Sequence, residues 1–166
     1  VKLHLAVDAQ TLEIQAVEVT GAGVGDAPML PELLAQIPHE QDIGSVTADG
    51  AYDTLKCHDT IAGRGADAVI PPRKNARPWK PDTPGTIVWD EALRACKRFS
   101  RAVWKRWSDY HRRSLAETKM NCVKQLGQCI MAREFDRQVA ELQIRTSVLN
   151  SFTMLGTPET VAVPNT

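Results

Sequence analysis

A chain of 166 residues, 43% hydrophobic and 24% charged, can bury one sizeable core, which excludes a disordered, fibrous or many-domain protein. No apolar run reaches the roughly 20 residues of a membrane span. The opening Val1-Lys2-Leu3-His4 lacks the regions of a signal peptide, so a cytoplasmic protein with no membrane partner is expected. The net charge of zero hides a segregation: residues 1–69 hold 11 acids against 3 Lys and Arg, while residues 94–124 hold 10 Lys and Arg against Asp109 and Glu117. An acidic half suits divalent cations and a basic stretch suits a polyanion, although a solvated helix face also explains such a run.

In chain order, Val1 to Val7 alternates, with Lys2, His4 and Ala6 on one face, and Leu12 to Val19 alternates again after Asp8-Ala9-Gln10-Thr11. This pattern predicts a β-hairpin with Asp8 in the turn. Gly21-Ala22-Gly23-Val24-Gly25 reads as a strand-to-helix linker, since the spacing departs from G-x-G-x-x-G and no Walker Lys follows. Asp26 is placed to cap a helix carrying Leu30, Leu33, Leu34 and Ile37 and ending before Pro38. Ile43 to Ala48 predicts a buried strand ending at Asp49, Asp53 a cap for a helix through Ile61, and Ala66 to Pro71 a short strand. Strands alternating with helices argue for an α/β layer.

The stretch from Pro71 to Thr86 reads as a long loop in which Arg73, Lys74, Arg77 and Trp79 either contact DNA or form an ordinary basic loop. Three helices are expected beyond it. One runs from Trp89 or Asp90 through Trp107 and one from Ser108 or Asp109 to about Met131, with Cys122 and Cys129 a heptad apart on it. The last covers Asp136 to Leu155 with Gly156 as its C-cap, before a flexible tail over residues 157–166. The four cysteines form no C-x-x-C pair and read as free thiols, and Cys57-His58-Asp59 has no second ligand pair at zinc spacing.

Two groups of residues could carry chemistry. Asp49 stands at the carboxyl end of a strand, where open α/β sheets present catalytic groups, although a turn role alone would explain it. Tyr110, Arg113, Glu117 and Lys124 follow at spacings of 3, 4 and 7. On one continuous helix they fall within about 60° of one another, away from Leu115, Cys122, Val123, Leu126 and Ile130. An exposed i,i+4 Arg113–Glu117 pair would account for part of that pattern.

Tyr110-x2-Arg113-x3-Glu117-x6-Lys124 resembles the Tyr-Arg-Glu-Lys signature of the DDE transposases of bacterial insertion sequences. Ala48-Asp49-Gly50-Ala51-Tyr52-Asp53 resembles the block around their second carboxylate. The Lys2-to-Asp8 strand and the Pro71-Pro72-Arg73-Lys74-Asn75-Ala76-Arg77 loop are similar to the insertion sequence five branch of that group. The resemblance implies a ribonuclease H-like α/β domain over residues 1–156, a mixed sheet with flanking helices, in which three carboxylates hold Mg²⁺ or Mn²⁺. Asp49 would be the second catalytic and metal-binding carboxylate and Glu117 the third. Tyr110, Arg113 and Lys124 would contact DNA, both transposon ends and target, in a nucleoid-associated protein able to form homo-oligomers.

The resemblance places the first carboxylate on a strand preceding Lys2-Leu3-His4, between the hairpin and the Ile43 strand. It therefore implies that these residues lack the first strand and need it for strand cleavage and transfer, being inactive alone. Asp8, in the hairpin turn, is a poor substitute. The alternative is a non-catalytic DNA-binding remnant that competes with complete transposase at transposon ends.

Overall fold

The computed structural model describes residues 1–80 and 83–156. The expected tail lies outside the described residues. Strands β1 (Lys2–Val7) and β2 (Ile14–Thr20) form the antiparallel hairpin, with Lys2 opposite Thr20 and a register shift between Ala6 and Val7. Asp8 holds the turn, its Oδ1 accepting the Gln10 and Thr11 backbone N–H groups, each at 2.7 Å. These donors, Thr11 foremost, keep the Asp8 carboxyl below its usual range.

Both faces of the hairpin are covered. Ala6 and Ala16 pack toward α1 (Met29–Gln36) with Leu30, Leu33, Leu34, Ile37 and Ile61. Leu3, Leu5, Val7, Val17 and Val19 pack with Val123 of α5 (Ser114–Gln125) and Leu142 and Leu149 of α6 (Phe135–Leu155). The alternation therefore separates two cores, one on each side of the hairpin. The one polar residue fully buried on it, His4, is bonded to Thr20 Oγ1 at 3.0 Å and lies 3.4 Å from Asp26.

A second sheet pairs β3 (Ser45–Thr47) in parallel with β4 (Asp67–Val69), joined by α2 (Leu55–Gly63). Both strands are shorter than the apolar runs Ile43–Ala48 and Ala66–Pro71 suggest. Arg64 satisfies the end of α1, donating to the carbonyls of Leu34, Ile37 and Pro38 at 2.8–2.9 Å, which closes that helix without a glycine.

Several expected boundaries move. Asp26 makes no side-chain cap on α1 and instead pairs with Lys2 at 2.7 Å. Thr54, not Asp53, caps α2. The expected Trp89–Trp107 helix begins earlier as α3 (Pro84–Phe99), with Pro at the N-terminal turn where its missing N–H costs nothing. It breaks at Ser100, whose φ of 79° no regular helix contains, and resumes as α4 (Arg101–Trp107).

The expected Ser108–Met131 helix is likewise divided. Asp109, at φ 53°, turns the chain into a 3₁₀ turn over Tyr110–Arg113 that feeds α5, which stops at Gln125. Cys129 and the exposed Leu126 therefore lie beyond the helix. Among the described residues the architecture is a mixed α/β one, with two two-stranded sheets and six α-helices.

Candidate functional site

The outer edges of β1 and β3 face each other across a cleft of about 920 Å³ lined along Leu3–Gln10 and Ile43–Asp49. Leu30, Leu33 and Leu34 of α1 close it on one side, and Leu115, Met120 and Asn121 of α5 close it on the other. From a rise of about 3.3 Å per residue, a strand spacing of about 4.8 Å and a layer of about 10 Å, a six-residue strand needs roughly 950 Å³. The cleft is comparable in volume to a short strand and is walled by two strands and two helices.

The other edge of the hairpin is treated differently. Gln36 bonds Val17 through both its amide atoms (3.0 and 3.1 Å), and Asn150 bonds Ile14 in the same way (2.8 and 2.9 Å). Side-chain amides thus occupy the β2 edge as a neighbouring strand would, while among the described residues β1 and β3 each pair with one strand only.

Four of the candidate residues line this cleft. Asp49 follows β3 and caps a 3₁₀ turn over Gly50–Tyr52, its Oδ1 accepting the Ala51 N–H at 2.8 Å. Arg113, Glu117 and Lys124 line the same cleft from the opposite side. Arg113 donates to Glu117 at 2.7 Å, and its guanidinium lies 5.8 Å from the centre of the Tyr110 ring.

Tyr110 stands beside the cleft, within the fields of both carboxylates. Burial pushes its phenol up, Arg113 opposes this, and Asp49 and, more weakly, Glu117 reinforce it. Burial together with Asp26 and Asp49 likewise pushes Tyr52 up to about 12. The structure therefore places Asp49, Arg113, Glu117 and Lys124 on the walls of one cleft, with Tyr110 against Arg113, through a 3₁₀ turn joined to a helix rather than one continuous helix.

The arrangement offers hard oxygen donors beside cations that can hold phosphate. Asp49 and Glu117 carry the carboxylate oxygens that divalent metals prefer. No group of three His, Cys, Asp or Glu side chains among the described residues is placed to hold a metal.

Sequence reasoning missed the role of Asp53. Its side chain is 2% exposed and accepts the Trp89 indole N–H at 2.6 Å, the Arg73 backbone N–H at 2.9 Å and a His58 bond at 3.3 Å. Burial alone would raise its pKa, yet these donors and the nearby imidazole hold it below the usual carboxylate range. Trp79 stacks on Trp89 at 4.0 Å. Asp53 thus ties the basic Pro71–Lys80 loop to α2 and α3, beside Asp49. The sequence signal was an acid followed by Thr, a second residue able to cap, which leaves Asp53 free for another use.

Asp49 thus stands at the carboxyl end of a parallel strand, across one cleft from Arg113, Glu117 and Lys124. The sequence model of the family described as transposase DDE domain matches residues 1–161, and the chain belongs to that family. Membership points to transposition, with DNA as the partner and a divalent metal as the usual cofactor. No solved structure matches the chain. No helix among the described residues is long and apolar enough to cross a membrane.

Proposed function

We propose that these residues form most of a ribonuclease H-like catalytic domain of the insertion sequence five branch, in which Asp49 and Glu117 supply two of three metal-binding carboxylates for DNA strand cleavage and transfer. The observation that carries this reading is the cleft, which gathers both acids and both cations between two unpaired strand edges. The third carboxylate belongs on a strand that fills the cleft. Without that strand the metal set is incomplete and residues 1–166 are inactive alone.

Bound Mg²⁺ or Mn²⁺ would activate the attacking oxygen and neutralise charge on the phosphodiester. The chain's own residues prepare for this. Arg113 fixes the Glu117 carboxylate while keeping further guanidinium donors for a phosphate, and Lys124 adds a point charge along the same wall. The Tyr110 hydroxyl, protonated at neutral pH as any ordinary phenol is, serves as a hydrogen-bond donor to a DNA phosphate or to Asp49.

The test uses a version extended upstream with an Asp-bearing strand, assayed on labelled transposon-end DNA with Mg²⁺. Asp49→Asn and Glu117→Gln should each lower cleavage about a hundredfold or more, because several kcal/mol of transition-state stabilisation are lost, while DNA binding stays nearly intact. Residues 1–166 alone should not cleave. Near-normal cleavage by either variant would remove that residue from the site, and cleavage by the unextended chain would remove the need for the strand.

A further inference from the structure

The tip formed by α3 and α4 exposes aromatic rings among cations that the site described above does not use. Trp107 is 68% exposed and Phe99 42%, and their rings lie 5.1 Å apart. Trp107 contrasts with Trp89, at 1%, and Trp104, at 8%, which belong to the interior. The Arg98 guanidinium sits 5.1 Å from the Phe99 ring centre. Among the described residues, Arg94, Lys97, Arg98, Arg101, Lys105 and Arg106 make no salt bridge.

The feature continues toward the candidate site. Lys105 lies over the Tyr110 ring at 4.8 Å, and Arg113 approaches the same ring before pairing with Glu117. Rings and cations therefore alternate from the tip to the acids. A solvated helix face needs no exposed indole, and a protein partner here would have to be acidic to offset these cations. Stacking platforms interleaved with positive charge suit an unpaired nucleic-acid strand, whose bases offer π faces and whose phosphates need counter-charge.

We propose that the Phe99–Trp107 tip is a binding site for an unpaired DNA segment, whose bases stack on Trp107 while the segment runs along Lys105, Tyr110 and Arg113 toward Asp49 and Glu117. The proposal rests on the DNA-processing reading, which it deepens by assigning single-stranded DNA to a subsite of its own. Since Trp107 is highly exposed, its replacement leaves the cores intact.

The test titrates residues 1–166 with a twelve-nucleotide oligodeoxythymidylate and, separately, with a blunt duplex, following tryptophan fluorescence and anisotropy. Single-strand binding should quench the tryptophan emission. Trp107→Ala should abolish most of that quenching and weaken single-strand binding about tenfold, as loss of one stacked base predicts. Duplex binding should change less than about threefold, and Trp107→Tyr, which restores a ring, should recover most of the affinity.

Equal loss on both DNAs, or unchanged single-strand binding in Trp107→Ala, would overturn the proposal. So would a concentration-dependent dimer that Trp107→Ala dissociates without altering single-strand affinity, since the tip would then cover a second copy. The cleavage assay with Asp49→Asn and Glu117→Gln is independent of these readouts. The catalytic reading can fail there while the strand-binding tip stands, and the reverse.

Discussion

Replacing Asp53 with Ala would remove the acceptor shared by Trp89 Nε1, the Arg73 backbone N–H and His58. Two of these donors are on residues only 1% exposed, so water cannot replace the lost carboxylate without opening the space between α2 and α3. Each stranded buried donor costs about 1–3 kcal/mol, whereas Arg73, in an exposed part of the loop, can turn to solvent at lower cost. The sum is about 3–5 kcal/mol, a large share of the roughly 5–15 kcal/mol that holds a domain folded. At roughly 2–4 °C per kcal/mol for a chain of this size, thermal unfolding should move down by about 10 °C.

Asp53→Asn keeps the shape but turns one acceptor into a donor, so it should cost less, about 1–3 kcal/mol. Urea unfolding followed by far-ultraviolet circular dichroism gives both values, and Trp89 emission reports on the indole. The depressed pKa adds a sign. Stability from Asp53 is fully present above about pH 4, the unfolded value, and is lost as pH falls through the lower folded value. A loss below 1 kcal/mol in Asp53→Ala would refute the reasoning, because the three bonds would then be incidental.

Two further perturbations probe the packing. Gly85 marks the closest approach of α3 to α2, where an added Cβ would stand 2.6 Å from the Asp59 nitrogen and 2.6 Å from the His58 carbonyl carbon. Gly85→Ala should therefore destabilise by about 1–3 kcal/mol in denaturant unfolding, whereas Gly63→Ala, with nothing within 4 Å, should be neutral or slightly stabilising. Burial holds the His4 imidazole below its usual pKa against the opposing pull of Asp26, with Lys2 lowering and Glu18 raising it more weakly. The stability linked to neutral His4 is thus present above about pH 6.5 and lost as pH falls through the folded value. His4→Gln should flatten that part of the stability profile between pH 7.5 and 5, and an unchanged slope would place the titration elsewhere.

Local chemistry made much of the chain legible. Alternation alone determined the hairpin, because a period of two is incompatible with a helix, and Asp8 in its turn followed from the residues that favour turns. The 3–4 spacing of Leu30, Leu33, Leu34 and Ile37 similarly determined α1, and Gly156 marks the end of α6 as expected. The Tyr110, Arg113, Glu117 and Lys124 spacing, with the Asp49 block, was sufficient to name the family that the match over residues 1–161 establishes.

Tertiary structure decided what depends on partners distant in sequence. Periodicity cannot register a single residue entering positive φ, so the breaks at Ser100 and Asp109 were invisible in a pattern that stayed apolar on both sides. Asp53 looked like a cap because capping is local, whereas its donors Arg73 and Trp89 arrive from 20 and 36 residues away. Nor could alternation tell that both faces of the hairpin are buried, since the face that carries Lys2, His4 and Ala6 gains its cover only from α1. The cleft between β1 and β3 is the clearest case: each edge is unremarkable in its own segment, and only their juxtaposition, with α1 and α5 closing the space, creates it.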